Sequence, residues 1–207
     1  MSFRHLIKRT IKTGFLVLVF PIYVLYLLFR LAGNTDAVFM SFSQAISLIP
    51  GKTGIYIRAA FYRLVCTDTS DEISVGFLTI FSHADTTIEK GVYIGPQCNI
   101  GKCTICADTL LGSAVHILSG KNQHNFDDIT TSIQKQGGKF EKIRIGRDCW
   151  IGNNATVLAD VSDQCVIAAG SVSAKSIPNK GDIVAGNPAR VIKNRLAGSV
   201  DNEKLFT

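Results

Sequence analysis

The stretch TTIEKGVYIGPQCNIG, residues 86–101, places Ile88, Ile94 and Ile100 six residues apart, with glycine directly after two of them at Gly95 and Gly101. Two positions before each isoleucine stands a small or branched residue: Thr86, Val92 and Cys98. Side chains alternate along a strand, so positions i−2 and i share one face and the residue between them points the other way. Glycine and short polar residues after position i let the chain turn. Six-residue units of this kind make short flat faces joined by corners, and three faces close one coil of a solenoid.

The period extends in both directions with slips. Thr104 and Cys106 continue the pairing, Leu111-Gly112 follows Cys106 after five residues instead of six, and Val115 and Ile117 resume the inner face. The segment SGKNQHNFDDITTSIQKQGGKFEK, 119–142, has no such period. Beyond it, Ile145-Gly146, Ile151-Gly152 and Val157 restart the count, with Cys149 and Ala155 at i−2; a second slip leads to Val161, Ile167 and Ser173, and the pattern ends near Pro178. Without the loop there is room for roughly five coils of about 18 residues. The fold class predicted is an all-β solenoid over residues 73–188, interrupted by an inserted loop at 119–141 and followed by a C-terminal tail, 189–207. Cys98, Cys106, Cys149 and Cys165 take inner positions as small hydrophobes. Six scattered cysteines without a secreted-domain framework point to a reducing compartment.

The N-terminal third has a different character. Residues 1–63 carry eight lysines and arginines against Asp36 alone, whereas residues 64–207 carry 14 against 15 acidic groups. The net charge of +6 is therefore local, and no nucleic-acid partner is expected. The run TGFLVLVFPIYVLYLLF, 13–29, is almost wholly apolar and lies between Lys12 and Arg30. At 17 residues it sits at the lower edge of what crosses a bilayer, and Pro21 predicts a kink. A short span, a kinked or re-entrant helix in one leaflet and a buried core hairpin are the competing readings of this segment, 1–33. Arg4, Lys8, Arg9 and Lys12 favour a cytoplasmic N-terminus. We expect a chain held at the cytoplasmic face of the membrane with both ends on that side. Residues 34–72 read as an interfacial or capping helical region.

The period, the loop with its histidine, and the run DCWIGNNATVLADVSDQCVIAAGSVSAKSIPNKGDIVAGNPARVIKNR, 148–195, resemble the left-handed parallel β-helix acyltransferases of hexapeptide repeats, and more closely the branch that acetylates sugars and polysaccharide precursors. The resemblance covers roughly residues 73–195, and GNPARVIK is its most specific piece. It implies the handedness, a homotrimer, and acetyl-coenzyme A as acyl donor, held along the coil edge between subunits. The corresponding positions are Gly152, Ala168, Gly170, Ser171, Lys175, Pro188 and Arg190. Two departures loosen that assignment: an IG pair commonly found between Ser162 and Asp163 is missing, and Ala168 replaces the usual glycine after Ile167.

Histidine carries the chemistry. An imidazole titrating near neutrality suits deprotonation of a hydroxyl, and Asp127 or Asp128 is placed to hold the second ring nitrogen of His124. The resemblance gives His124 the role of base, acting on a sugar hydroxyl of a lipid-linked glycan or exopolysaccharide precursor by direct transfer, without a metal. His83, His116 and Trp150 are the expected acceptor contacts; His116 and Trp150 lie between inward residues and so face outward. N-acetylation of an amino sugar is the alternative. Zinc bound by His83, His116 and His124, as in β-helix carbonic anhydrases, and a non-catalytic membrane scaffold are further alternatives.

Overall fold

The computed structural model describes residues 3–197. Three helices come first: α1 (Phe3–Ala32), α2 (Thr35–Ser47) and α3 (Gly51–Val65). Asn34 caps α2, its side-chain oxygen accepting from the Asp36 and Ala37 N–H groups at 3.0 and 3.3 Å, and Asp36 complements the positive end of the helix. Where the sequence suggests a kinked segment of 17 residues, α1 runs for 30 and passes through Pro21 without a break. Pro21 lies on the exposed side, so the helical bond lost at its missing N–H disturbs no internal contact.

From Ser74 onward the chain visits three parallel sheets in rotation, each strand pairing with the strand one circuit earlier. One column of inward side chains is Val75, Ile94, Leu111, Ile151, Ile167 and Val184. A second is Phe81, Ile100, Ile117, Val157 and Ser173. The third is Ile88, Ile105, Ile145, Val161 and Ile177. All are buried, and stacking them makes one apolar rod. Between columns, buried threonines tie neighbouring circuits: Thr79 Oγ1 donates to the Gly95 carbonyl at 2.7 Å and Thr109 Oγ1 to that of Gly146 at 2.6 Å. The last inward strand turns back on itself, Asp182–Gly186 pairing antiparallel with Ala189–Asn194. The expected tail therefore begins as a strand; its residues 198–207 lie outside the described residues.

One phase assignment needs correction. The inward residue after Ile100 is Ile105, not Cys106, with Cys103 at i−2; the five-residue step thus lies before Ile105, and Leu111 follows it at the regular six. Placing the larger isoleucine in the column and Cys106 at the corner fills the rod better. All six cysteines are free and buried; burial pushes the Cys103 and Cys149 thiols up to about 12, which leaves them as packing groups.

The helices close the first end of the rod. Arg58 of α3 is fully buried. Its Nε donates to the Val75 carbonyl at 2.9 Å, and Nη1 reaches those of Ile49 at 2.7 Å, Ile46 at 3.3 Å and Ser47 at 3.5 Å. One side chain thus joins the C-terminal end of α2, the linker to α3 and the first strand. Ser43 adds a second tie, its Oγ lying 2.8 Å from the Tyr62 hydroxyl and accepting the Phe81 N–H at 2.8 Å. Replacing Arg58 with Met keeps bulk but strands the Val75 and Ile49 carbonyls, those of Ile46 and Ser47 retaining the Ile49 and Leu78 N–H groups, and should destabilise the protein by about 3 kcal/mol. Denaturant unfolding followed by circular dichroism measures this; an unchanged midpoint would remove Arg58 from its role.

Candidate active site

The outward residues of the five-stranded sheet also form a column: Ile80, Asn99, His116 and Thr156 stand in register on successive circuits. They floor a cavity of about 900 Å³. The start of α2 contributes Asn34, Asp36, Ala37 and Met40 to the lining, and the two arms of the inserted loop contribute Gln123 and Phe140. Ser82 and His83, at the bend after the strand Ile80–Phe81, also line it, as do Gly101, Leu118 and Ser119.

His83 is the best-held side chain here. Ser82 Oγ lies 2.8 Å from its Nδ1, Asp36 Oδ2 is 4.0 Å from its Nε2, and the Phe140 ring packs 5.2 Å away. The side chain is only 15% exposed. A histidine clamped between a hydroxyl and a carboxylate presents a fixed polar edge to whatever enters the cavity, acting as donor or acceptor according to its tautomer.

The inserted loop is an ordered ribbon. Backbone bonds pair Glu141 with Ser119 at 2.9 Å, Lys139 with Asn122 at 2.7 Å and Asn125 with Gly137 at 2.9 Å. Gln136 plugs the tip, donating to the Asp128 and Thr131 carbonyls and accepting the Asp128 N–H. Gly138 has no room for a side chain, since a Cβ there would collide with the carbonyl of Gln123 and crowd the His124 nitrogen. At the base, Asp85 accepts from Lys142 at 2.7 Å and pairs with Lys102 at 3.0 Å. Those two ammonium groups hold its carboxyl below the usual range.

The structure brings some of the expected site residues together. His83 and His116 share the cavity. His124 is exposed, one residue beyond the lining Gln123, and Asp127, three positions further along the loop, is exposed as well. Asp128 is committed elsewhere: the hydroxyl and N–H of Thr130 bond its Oδ1 at 2.7 and 2.8 Å, and these bonds with those from Thr131 lower it to about 2. Trp150 stands apart from the other two acceptor candidates, in the outward column of the seven-stranded sheet, so one chain does not unite the three. Among the described residues no group of three or more His, Cys, Asp or Glu side chains is arranged to hold a metal ion.

Of the donor-binding positions, Lys175 and Arg190 line one cleft of about 280 Å³ at the far end of the rod, next to Ala189. Gly170 and Pro188 are exposed and Ala168 half-buried. Gly152 and Ser171 are buried; the Gly152 N–H bonds the Ile167 carbonyl at 2.7 Å, and Ser171 Oγ accepts the Gly186 N–H at 3.1 Å. Their side positions shape the turns and are not free to grip a ligand. Sequence reasoning missed Asp36, Asn99, Ser82 and Gly138. Asn99 was within reach, since it precedes an inward isoleucine just as His116 does.

No protein-family model matches the chain. Several curated relatives do, among them two probable acetyltransferases. "Probable macrolide acetyltransferase" of Lysinibacillus sphaericus is 32% identical over 117 residues, 51% of this chain and 64% of that protein. A "Probable acetyltransferase" of Mycobacterium tuberculosis is 40% identical over 74 residues, 35% of this chain and 24% of that one. Among solved structures, a maltose O-acetyltransferase from Clostridium difficile superposes with a TM-score of 0.66 at 19% identity, covering 79% of this chain and 89% of its own. The chain is thus similar in sequence to curated acetyltransferases, of whose lengths it spans less than two thirds, and it shares the fold of the maltose O-acetyltransferase. A further structural neighbour is a galactoside acetyltransferase in complex with coenzyme A, with a TM-score of 0.54 at 19% identity, covering 78% and 83% of the two chains.

Gly138 supplies the test of the loop's geometry. Gly138→Ala must push the Gln123–His124 peptide aside, and should lower turnover at least tenfold while the melting temperature falls by only a few degrees. Unchanged turnover would separate the ribbon from the site.

Proposed function

We propose that this protein is an acetyl-coenzyme A-dependent O-acetyltransferase whose acceptor is a hydroxyl of a sugar in a lipid-linked glycan or exopolysaccharide precursor, modified at the cytoplasmic face of the membrane. The observation that carries this reading is the cavity of about 900 Å³ on the outer face of the five-stranded sheet, rimmed by polar side chains and flanked by the loop bearing His124. The winding is read as the left-handed solenoid of the family, spanning residues 73–188, with 1–33 as the membrane-associated segment and 34–72 as the cap.

His124 takes the proton from the acceptor hydroxyl as that oxygen attacks the thioester carbonyl, and returns it to the leaving thiolate. The products are the acetyl ester and free coenzyme A. Asp127 orients the imidazole, because Asp128 is held by its own turn. His83 and His116 bind the acceptor. Lys175 and Arg190 supply positive charge for the donor's phosphates, with Ala168, Gly170 and Pro188 forming the edge it lies along and the buried Gly152 and Ser171 shaping the turns behind that edge. Both substrates meet in one place, so positioning supplies much of the rate.

Assembly into a homotrimer is supported by apolar surface that one chain leaves uncovered. Tyr93, Leu110 and Trp150 stand in register on the outside of the seven-stranded sheet, and Trp150 is 56% exposed. On the loop, Ile129 is 97% exposed and Phe126 70%. Closed cyclic symmetry buries such a face without leaving another open.

Two measurements test these readings. His124→Ala should reduce release of coenzyme A thiol by about a thousandfold, in line with loss of a general base, with the fold intact by circular dichroism. Mass spectrometry of the host's lipid-linked glycans with and without the gene should show loss of one acetyl group; wild-type turnover in the variant would reject His124 as base. Native mass spectrometry should give a trimer for the wild type and smaller species for Leu110→Glu, and a fully active monomer would reject the assembly.

A further inference from the structure

Burial divides α1 lengthwise. Lys12, Phe15, Leu16, Val19, Ile22, Tyr23, Tyr26 and Leu27 repeat at intervals of three and four and are buried or half-buried. The opposite side bears Val17, Leu18, Phe20, Leu25, Leu28 and Phe29, each at least 47% exposed. No charged residue occurs between Lys12 and Arg30, so the helix is apolar all round while only one face has protein against it. A bare apolar strip along so long a helix exceeds what a water-facing surface ordinarily carries.

The covered face fixes the helix's tilt. Lys12 Nζ lies 3.7 Å from Asp71 and 3.9 Å from Glu72, at the start of the winding. Phe15 stacks on Tyr56 with ring centroids 5.0 Å apart. Tyr26 then meets Phe42 at 5.6 Å and Phe61 at 6.0 Å. Between Lys12 and Tyr26 the helix advances about 21 Å at 1.5 Å per residue, and along that whole length it is clamped to the folded unit. If α1 stood upright through about 30 Å of hydrocarbon, α3 and the Asp71–Glu72 turn would be carried in with it. Glu72 is ionised in this setting, held low despite some burial by Lys12, Lys90 and Lys8. Such a cluster has no place among acyl chains.

We propose that α1 is an in-plane anchor whose exposed face, Val17 to Phe29, lies in one leaflet of an anionic bilayer, with Arg9 and Arg30 on the headgroups at its two ends. Charge complementarity selects this occupant: a helix apolar through its middle and cationic at both ends matches a leaflet whose hydrocarbon lies under a layer of anionic headgroups. The inference deepens the membrane-facing part of the reading above and does not depend on acetyl transfer. Its consequence for the site follows from chain connectivity. α2 starts three residues after α1 ends, and its first turns, with Asn34, Asp36, Ala37 and Met40, are a wall of the cavity. The same short connection that leaves the leaflet therefore builds the cavity's rim, which sets the polar head of a membrane-embedded amphiphile within reach while its chain stays in lipid.

The full chain is tested on vesicles of three parts phosphatidylcholine to one part phosphatidylglycerol. It should float with them, float less with phosphatidylcholine alone, and lose most of the difference in high salt or on Arg9→Glu with Arg30→Glu. Leu18→Glu with Leu25→Glu should abolish flotation while circular dichroism and the thermal transition stay near wild type. Depth is read by single tryptophans at Leu18 and Phe29 in a Trp150→Phe background, with lipids brominated at set positions. Equal, shallow quenching of both is expected. Quenching that is deep for one and shallow for the other would establish a span and overturn the proposal, as would a soluble oligomer that buries this face and ignores vesicles. Flotation without release of coenzyme A thiol would reject the transferase reading and leave the anchor standing; thiol release without flotation would do the reverse.

Discussion

The guanidinium of Arg58 has no contact with solvent, and the carbonyls it gathers belong to three different parts of the chain. A stack of β coils ends in a row of apolar side chains and unpaired backbone groups, which must be covered. Here the cover is helical, and helices leave carbonyls free at their own C-terminal ends. α2 ends directly above the first strand, so the Ile49 carbonyl just beyond it and that of Val75 would lack donors, whereas those of Ile46 and Ser47 also receive the Ile49 and Leu78 N–H groups. A single cation with a fork of N–H groups satisfies both sets at once and sets the register between helices and coils. The position of Asp36 follows from this, since α2 held at its far end delivers its first turn to the side of the five-stranded sheet. The cavity wall is a remote consequence of a buried charge.

Repetition places the rest. Each circuit adds one inward residue per sheet and one outward residue beside it, so a single register aligns the rod within and a functional column without. Ile100, Ile117 and Val157 fill the core while Asn99, His116 and Thr156, one residue earlier, floor the cavity. The loop interrupts this order within one circuit, between its strand in the five-stranded sheet and its strand in the three-stranded sheet, and its ribbon of backbone bonds returns the chain to register at Ile143.

The six-residue period was legible because burial demands it at every turn. Ile88, Ile94, Ile100, Ile151 and Ile167 all stand where alternation puts them. The misplaced step at Ile105 has a physical origin: Cys103 and Cys106 are both small enough for an inner slot, so composition alone left two phases open, and only the hydrogen-bonded pairing of Ile105 with Ile88 and Ile145 decides between them. His116 and Trp150 face outward as their inward neighbours require, yet they point from different sheets, which a count of residues along one circuit does not reveal without the corner geometry. Asp36 beside His83 was beyond reach, as that contact bridges a helix cap and a strand end 47 positions apart, and no periodicity links the two. The loop's internal ribbon was equally silent, because its bonds run between backbone groups and leave no pattern in side chains.

The final hairpin bears on how such a molecule stays soluble during synthesis. Parallel coils present the same edge at each level, so a nascent chain ending on Asp182–Gly186 would offer a template to any other half-made copy, in the manner of growing cross-β fibrils. Folding Ala189–Asn194 back antiparallel reverses the direction of the outermost strand on the seven-stranded sheet. An incoming chain that carries a parallel pattern of side chains then meets a strand it cannot copy. A reversal six residues long thereby acts as a stop signal for polymerisation, written in strand polarity.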